Sequence, residues 1–152
     1  MDKIETYDGA GNLIGVVDER SLDFAKAKKN EQVNENREKQ LDRGMWVYGY
    51  FWDTGERGRA NVSGMVAGLA AGVPLPSNFV WRTRDNINVP FTAQMLIGLG
   101  AHTLSFVNQV YGASWLIKLE IESLTTNAQV DALDINNHPA WPNGDMDGTK
   151  PA

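Results

Sequence analysis

The stretch that decides the fold is Met45-Trp46-Val47-Tyr48-Gly49-Tyr50-Phe51-Trp52, which spans residues 45–52. It is dense in aromatic and β-branched side chains, and these favour the pleated, half-buried surface of a β-sheet. Side chains alternate between the two faces of a strand. One strand over 45–52 is therefore predicted to place four aromatic side chains on a single face: Trp46, Tyr48, Tyr50 and Trp52.

Such an aromatic face has two interpretations. It can pack into the core beneath the protein's own sheet, or part of it can bind a partner, and both can hold, one for each face of the sheet. Tyr and Trp are favoured interface anchors because they bury a large area at low entropy cost. We take the candidate partner interface to be these four residues and one further aromatic: Trp46, Tyr48, Tyr50, Trp52 and Trp81.

Downstream of this strand the sequence predicts a short helix and a second hairpin. Residues 59–71 have apolar side chains at the i, i+3, i+4, i+7 spacing of one buried helix face: Val62, Met65, Val66 and Leu69. Residues 79–91 form two strand-like runs around a turn at 84–86. The charges near this turn are either solvated or joined in a buried Arg82–Asp85 pair that fixes the hairpin.

A long helix over residues 93–124 is predicted next, capped by Thr92. Apolar residues recur along it in near-heptad steps, which predicts one packed seam: Leu96, Leu99, Val107, Val110, Ile117, Ile121 and Leu124. Gly112 marks a point where this helix could kink or break. Thr126 and Gln129 form a capping box that starts a final short helix over about 127–133.

Upstream, residues 21–43 predict a polar helix that Ser21 or Asp18 caps and Gly44 ends. Its thin apolar stripe consists of Leu22, Ala25, Val33 and Leu41. A helix this polar either bridges through solvent or packs along one narrow edge, and we interpret it as a spacer with one weakly apolar seam. Residues 4–17 predict a β-hairpin, which must pack on this chain or on a neighbour because an isolated hairpin is only marginally stable.

Together these elements predict an α+β protein in four parts. Residues 1–20 form an N-terminal β-hairpin and residues 21–44 a polar connecting helix. Residues 45–135 form an α+β domain in which a small antiparallel sheet packs with a helical hairpin. Residues 136–152 form a C-terminal tail rich in Asn, Pro, Gly and Asp, a composition typical of disorder unless a partner holds the segment.

The charge and composition of the chain exclude several classes of function. The 152 residues include 14 basic and 19 acidic side chains, for a net charge of -5, and the basic residues are interleaved with acids. We therefore expect no binding of nucleic acid, which needs a basic surface. The N-terminus does not resemble a signal peptide and no run reaches the length of a membrane span, so we expect no membrane partner.

The residues that usually carry catalysis are scarce. Cysteine is absent, which excludes thiolate nucleophiles and cysteine-based zinc sites. His102 and His138 lie far apart and belong to no metal-binding motif, and the acidic run 145–148 lacks the further oxygen ligands of a calcium loop. No carboxylate pair plainly faces a cleft, as a sugar hydrolase would require. We therefore expect no catalytic, metal or cofactor-binding residues.

One segment resembles a known family. Residues 79–92 contain the pattern W-R-T-x-D-N at 81–86, followed by an apolar residue and a helix start, and the matching residues are Trp81, Arg82, Thr83, Asp85, Asn86, Val89 and Thr92. This pattern resembles an uncharacterised domain of phage tail proteins that is often found at the end of tail-fibre assembly proteins. The aromatic strand, Asp53-Thr54, residues 59–62 and the long helix are also similar, so the resemblance covers roughly residues 22–135.

The resemblance implies a bacteriophage tail protein without assigned catalytic residues. We expect it to bind tail-fibre or baseplate protein, either as an assembly chaperone that covers an exposed fibre surface or as a cap that stays on the fibre. The alternative is a permanent structural subunit of the baseplate or tail fibre, in which it could form a homo-oligomer. Its expected location is the host cytoplasm during assembly, with retention in the virion tail as the other outcome.

Overall fold

The longest element is α3 (Ala93–Ser123), and the rest of the protein is built around it. The computed structural model describes residues 3–152, with only the backbone described at Lys3. The Thr92 hydroxyl accepts a hydrogen bond from the Met95 backbone N–H at 3.1 Å, which satisfies one of the free donors at a helix start. The predicted long helix is confirmed, and it continues through Gly112.

One face of α3 supplies most of the core. Nine of its residues are buried: Leu96, Leu99, Thr103, Phe106, Val110, Ala113, Ser114, Ile117 and Ile121. They follow one another in steps of three and four residues with one adjacent pair, so they share one side of the helix. This arrangement confirms the predicted seam, apart from Val107 and Leu124, which are only half-buried.

The polar helix α1 (Leu22–Leu41) packs against α3 along one narrow edge. Its start is capped as predicted, because the Ser21 hydroxyl accepts from the Phe24 N–H at 3.1 Å. Val33 and Leu41 belong to the core. The predicted apolar seam is confirmed. The helix packs on the body and does not span solvent as a spacer, since a thin apolar edge is sufficient when the neighbouring helix is strongly apolar.

Two shorter helices complete the helical part. The first, α2 (Glu56–Ala70), begins three residues earlier than predicted and packs on α3 through the buried side chain of Val62. The second, α4 (Asn127–Ala132), contacts α1. The Thr126 hydroxyl caps α4 by accepting from the Gln129 N–H at 3.1 Å, while the Gln129 side chain accepts from the Thr125 N–H at 2.9 Å.

The six strands in residues 3–152 pair as three separate antiparallel hairpins rather than as one sheet. Their bounds are β1 (Lys3–Tyr7) with β2 (Leu13–Asp18), β3 (Met45–Val47) with β4 (Tyr50–Trp52), and β5 (Val80–Arg82) with β6 (Asn88–Pro90). The first and third hairpins lie where the sequence predicted them. The α+β class, with an N-terminal hairpin, helices and small antiparallel sheets, is confirmed.

The aromatic segment 45–52 is a tight hairpin, so the prediction of one continuous strand was wrong. Tyr48 and Gly49 have φ angles of 58° and 76°, the left-handed pair that makes a two-residue hairpin turn of type I′. Trp46 then pairs with Phe51, and Met45 pairs with Trp52. Cross-strand partners share a face, so Trp46 and Trp52 lie on opposite faces of this hairpin.

The C-terminal tail is ordered by the chain itself. The Trp46 N–H donates to the Gly144 carbonyl at 2.7 Å, and the Met146 N–H donates to the Trp46 carbonyl at 3.1 Å. Trp141 is buried, and its indole N–H donates to the Ile135 carbonyl at 2.7 Å. The tail therefore needs no partner to hold it, because it extends the outer edge of β3.

Candidate partner-binding surfaces

The N-terminal hairpin, β1 and β2, exposes large apolar side chains to solvent. We call residues 3–18 the apolar hairpin. Six of its apolar side chains are between 36% and 67% exposed: Ile4, Tyr7, Leu13, Ile14, Val16 and Val17. Exposed apolar side chains grouped on one element mark an interaction surface rather than ordinary scatter.

Both faces of the apolar hairpin are apolar. Ile4 pairs with Val17 across the strands, and the next pair, Glu5 with Val16, points to the opposite face. Within residues 3–152, β1 and β2 pair only with each other, so each has an outer edge with free backbone groups. A partner could therefore add a strand at either edge or pack on either face.

Side-chain hydrogen bonds within the turn hold the apolar hairpin together. The Asp8 carboxylate accepts hydrogen bonds from the backbone N–H groups of Ala10 and Asn12, at 2.9 and 2.8 Å, and from the Asn12 side chain at 3.0 Å. The hydrogen bond from the Asn12 side chain is the main reason that the pKa of Asp8 lies below its ordinary value. This hydrogen bonding presents the hairpin in one shape, which lowers the entropy cost of binding.

Arg20 ties the base of the apolar hairpin to the helical body. Its guanidinium lies 2.7 Å from Asp18, at the end of β2, and 2.7 Å from Asp131 in α4. The Asn127 side chain also donates to the Arg20 carbonyl at 2.8 Å. The hydrogen bonds from Arg20 hold the pKa of Asp18 well below its usual range, so this connection is charged at neutral pH.

A second exposed apolar surface follows the outside of α3. We call it the outer stripe, and its large exposed side chains are Ile97, Leu104, Trp115, Leu116 and Leu119, each 50–63% exposed. The apolar spacing of the sequence predicted only the inner seam of this helix. The available signal was the run from Asn86 to Ile117, which contains no Asp, Glu, Lys or Arg, whereas a helix with one solvent-facing side usually carries charge there.

Two residues of the sequence motif, Trp81 and Arg82, line a small cleft. The cleft has a volume of about 290 Å³, and its polar and aromatic lining includes Asp53, Asn61, Trp81, Arg82 and Thr103. This volume is at the low end for a small-molecule site.

Most of the W-R-T-x-D-N motif builds the turn between β5 and β6. The Thr83 hydroxyl accepts from the Ile87 N–H at 2.8 Å and donates to Asp85 at 2.6 Å. Asn86 has a φ of 68°, which Asn tolerates well. The alternative of a buried Arg82–Asp85 pair is wrong, because Arg82 is exposed and bonds instead to the Asn86 and Asn88 side chains.

The five aromatic residues predicted as an interface do not form one surface. Trp52 is 1% exposed and its indole N–H donates to the Val47 carbonyl at 2.8 Å, so it is a core residue. Trp46 and Tyr48 are half-buried beside the tail, whereas Tyr50 is 37% exposed and Trp81 lines the cleft. Partner binding through these residues stays a prediction, and Tyr50 and Trp81 are the accessible candidates.

The histidines and the acidic tail have structural contacts. The His138 Nε2 lies 2.6 Å from Glu120, while its Nδ1 accepts from the Ala140 N–H at 3.1 Å. His102 lies against the Tyr48 ring. Asp147 accepts from the Tyr48 backbone N–H at 2.8 Å. Among the residues that the structure describes, no three His, Asp or Glu side chains are placed to hold a metal ion.

The fold and these surfaces define a small α+β protein with two groups of exposed apolar side chains, one on the apolar hairpin and one on the outer stripe of α3. A family model described as a domain of unknown function, DUF4376, matches residues 24–136, and the chain belongs to that family. No curated protein and no solved structure matches the chain. The matched region contains nearly all of the helical body and the two inner hairpins, whereas the apolar hairpin and most of the tail lie outside it.

No helix in the part of the chain that the structure describes is both long enough and apolar enough to cross a membrane.

Proposed function

We propose that this protein is a non-enzymatic bacteriophage tail protein that binds tail-fibre protein, as an assembly chaperone or as a cap on the fibre. The observation that carries the binding role is the apolar hairpin, whose two faces and two edges are all open. The phage setting is supported by the resemblance of residues 79–92 and their neighbours to tail-fibre assembly proteins.

The physical rationale is a match between two exposed surfaces. A two-stranded hairpin is only marginally stable in water. A partner that covers its apolar faces would therefore stabilise the hairpin and also gain contact area. A fibre subunit that exposes strand edges before it assembles would be prone to aggregation, because open edges pair with other chains. A preformed hairpin that adds to an edge would satisfy the free backbone groups of both proteins.

The same substitution, valine to lysine, at three exposed positions tests this proposal. Val16 and Val17 are neighbours on β2 with nearly equal exposure, 52% and 53%, and they point to opposite faces. Val73, in the loop after α2, is 60% exposed and serves as the control. Lysine is the replacement in each case, because a glutamate at position 16 would face Glu5 across the strands.

The assay is co-purification of each full-length variant with the tail-fibre protein encoded by the same phage. At least one of the two single variants, Val16→Lys and Val17→Lys, is expected to lose most of the bound fibre protein. The variant that loses binding identifies the face of the hairpin that docks on the partner. Val73→Lys is expected to bind as the unmodified protein does. If all three variants bind as much fibre protein as the unmodified protein does, the proposal that the hairpin is the binding element is wrong.

The alternative is a permanent structural subunit of the baseplate or fibre, and the outer stripe of α3 favours it because a virion subunit packs against several neighbours. Quantitative mass spectrometry of purified particles separates the two. Stoichiometric presence supports the subunit or a retained cap. Absence from particles, with fibre-bound protein in the infected-cell lysate, supports the chaperone.

A further inference from the structure

Large and small side chains follow one another along the outer stripe of α3 in an order that a second copy of the same helix can complement. Seven positions lie along the middle of the stripe, with Leu116 at its side: Ile97, Ala101, Leu104, Asn108, Gly112, Trp115 and Leu119. They follow one another in steps of four, three, four, four, three and four residues, so they lie along one side of the helix. These steps read the same in both directions from Asn108.

The side chains at equal distances from Asn108 are also complementary in size. Trp115 and Ala101 lie seven residues to either side of Asn108, and Gly112 and Leu104 lie four residues to either side. In each pair one residue is large and the other small. Ile97 and Leu119, eleven residues to either side, are both aliphatic and of similar volume.

An antiparallel pair of helices brings such positions together. When two copies of α3 cross with Asn108 on the two-fold axis, each residue faces the one at the same distance on the other side of Asn108. Trp115 of each copy would then lie over Ala101 of the other, and Leu104 over Gly112. In a parallel pair every residue would face itself, so the two Trp115 side chains would collide while the two Gly112 positions left a gap.

We propose that the protein forms a two-fold symmetric dimer through antiparallel packing of the outer stripe of α3, centred on Asn108. In such an interface the same patch serves both copies. Asn108 would face its own equivalent, and an amide can both donate to and accept from another amide. The stripe between Ile97 and Leu119 is about 33 Å long at the rise of an α-helix, enough for six turns of contact.

The charge distribution supports a second copy as the occupant. No Asp, Glu, Lys or Arg lies in α3 before Lys118, so two copies can approach along the stripe without repulsion between like charges. A helix that is apolar on all sides is normally buried. The inner seam of α3 is covered by α1 and α2, whereas Leu104, Trp115 and Leu119 stay more than 60% exposed.

Two shallow grooves beside the stripe would receive the larger side chains. One, of about 320 Å³, lies between α2 and α3 and is lined by Val66, Leu104 and Val107. The other, of about 400 Å³, lies between α1 and α3 and is lined by Lys26, Trp115 and Leu119. Antiparallel packing places the first groove of one copy near the second groove of the other, so α1 and α2 extend the interface.

The first test is the molar mass in solution, measured by light scattering and by sedimentation across a wide range of concentration. The unmodified chain is expected to be a dimer, and Leu104→Glu and Trp115→Glu are expected to be monomers with unchanged circular dichroism. Val73→Glu, also exposed but outside α3, is expected to remain a dimer. A monomeric unmodified protein at every concentration would overturn the proposal.

The second test fixes the direction of the helices, because the chain contains no native cysteine. Asn108→Cys is expected to form an intermolecular disulfide under mild oxidation, since the two residues meet on the axis. Ala101→Cys is expected to form none, because antiparallel copies hold these positions about 21 Å apart along the helix, far beyond the reach of a disulfide. Efficient cross-linking of both variants would indicate parallel helices and contradict the proposed arrangement.

This dimer is independent of fibre binding. The lysine variants at Val16 and Val17 should dimerise normally, and the glutamate variants at Leu104 and Trp115 keep the apolar hairpin intact. Loss of dimerisation in either hairpin variant would contradict the assignment of self-association to α3.

Discussion

Trp46 and Gly144 are joined by a backbone hydrogen bond of 2.7 Å, and this contact turns the C-terminal tail into a cover for the edge of β3. Two residues further along the tail, the Met146 N–H donates back to the Trp46 carbonyl at 3.1 Å. An open strand edge invites pairing with other chains. The tail closes this edge in cis, whereas the edges of the apolar hairpin stay open.

The anchor of the tail should contribute strongly to stability. Trp141 is 8% exposed and belongs to the core cluster, so Trp141→Ala should lower the free energy of unfolding by about 3 kcal/mol, the usual cost of removing a large buried side chain. Trp141→Phe should give a smaller loss. Chemical denaturation measures both, and an unchanged midpoint for the alanine variant would show that the tail is not packed on the body.

The tail contact at Asp147 should make stability depend on pH. Burial raises the pKa of Asp147, but hydrogen bonds from Thr149 and from the Tyr48 backbone N–H outweigh it, so the net pKa lies below its ordinary value. A lowered carboxylate pKa stabilises the folded state above the ordinary value of about 3.9, and this contribution is lost as the pH falls through the folded value.

Thermal unfolding of the unmodified protein and of Asp147→Asn tests this dependence. The melting temperature of the unmodified protein should exceed that of the variant by a constant amount from neutral pH down to about 4, the ordinary carboxylate pKa. The difference should narrow below that pH. A difference that widens in acid would contradict the sign of the pKa shift.

Two glycines of α2 should respond in opposite ways to the same substitution. A Cβ at Gly58 would lie 2.8 Å from the Asp53 carbonyl oxygen, a backbone atom that cannot easily move, whereas a Cβ at Gly64 would meet no heavy atom within 4 Å. Gly58→Ala should therefore destabilise the protein by about 1–3 kcal/mol. Gly64→Ala should stabilise it by up to about 1 kcal/mol through helix propensity. If the denaturation midpoints of both variants shift in the same direction, one of these two predictions is wrong.

The connection between the apolar hairpin and the body should depend on Arg20. Arg20→Ala removes the contacts with Asp18 and Asp131, so cleavage by a protease near residue 20 should become several-fold faster while the melting temperature changes little. Arg57→Ala, at an exposed position in α2, is the matched control and should be cleaved at the original rate. Equal rates for both variants would mean that other contacts hold the hairpin.

Local signals were enough to predict most elements from the sequence. Ser21, Thr92 and Thr126 each cap the helix that they were expected to cap, because a cap depends on residues within one turn. The inner seam of α3 followed from its spacing. The turn of the hairpin 79–91 followed from Asp85 and Asn86, which favour tight turns.

The errors came from features that local rules do not capture. Tyr48 adopts a positive φ, which a bulky residue rarely does. The sequence therefore predicted one continuous strand over 45–52 and one aromatic face, where the structure has a tight turn. The order of the tail depends on contacts with Trp46, about 100 residues earlier in the chain. The outer stripe could have been found, since the charge-free run of α3 is visible in the sequence.

Hydrogen–deuterium exchange of the unmodified protein, alone and with the proposed tail-fibre partner, tests the central claim most directly. The account predicts that backbone amides of β1 and β2 become protected in the complex, because a partner covers the faces or edges of the apolar hairpin. Unchanged exchange in both strands would contradict it. Protection confined to the segments around Tyr50 and Trp81 would place the binding site at these two aromatic side chains instead.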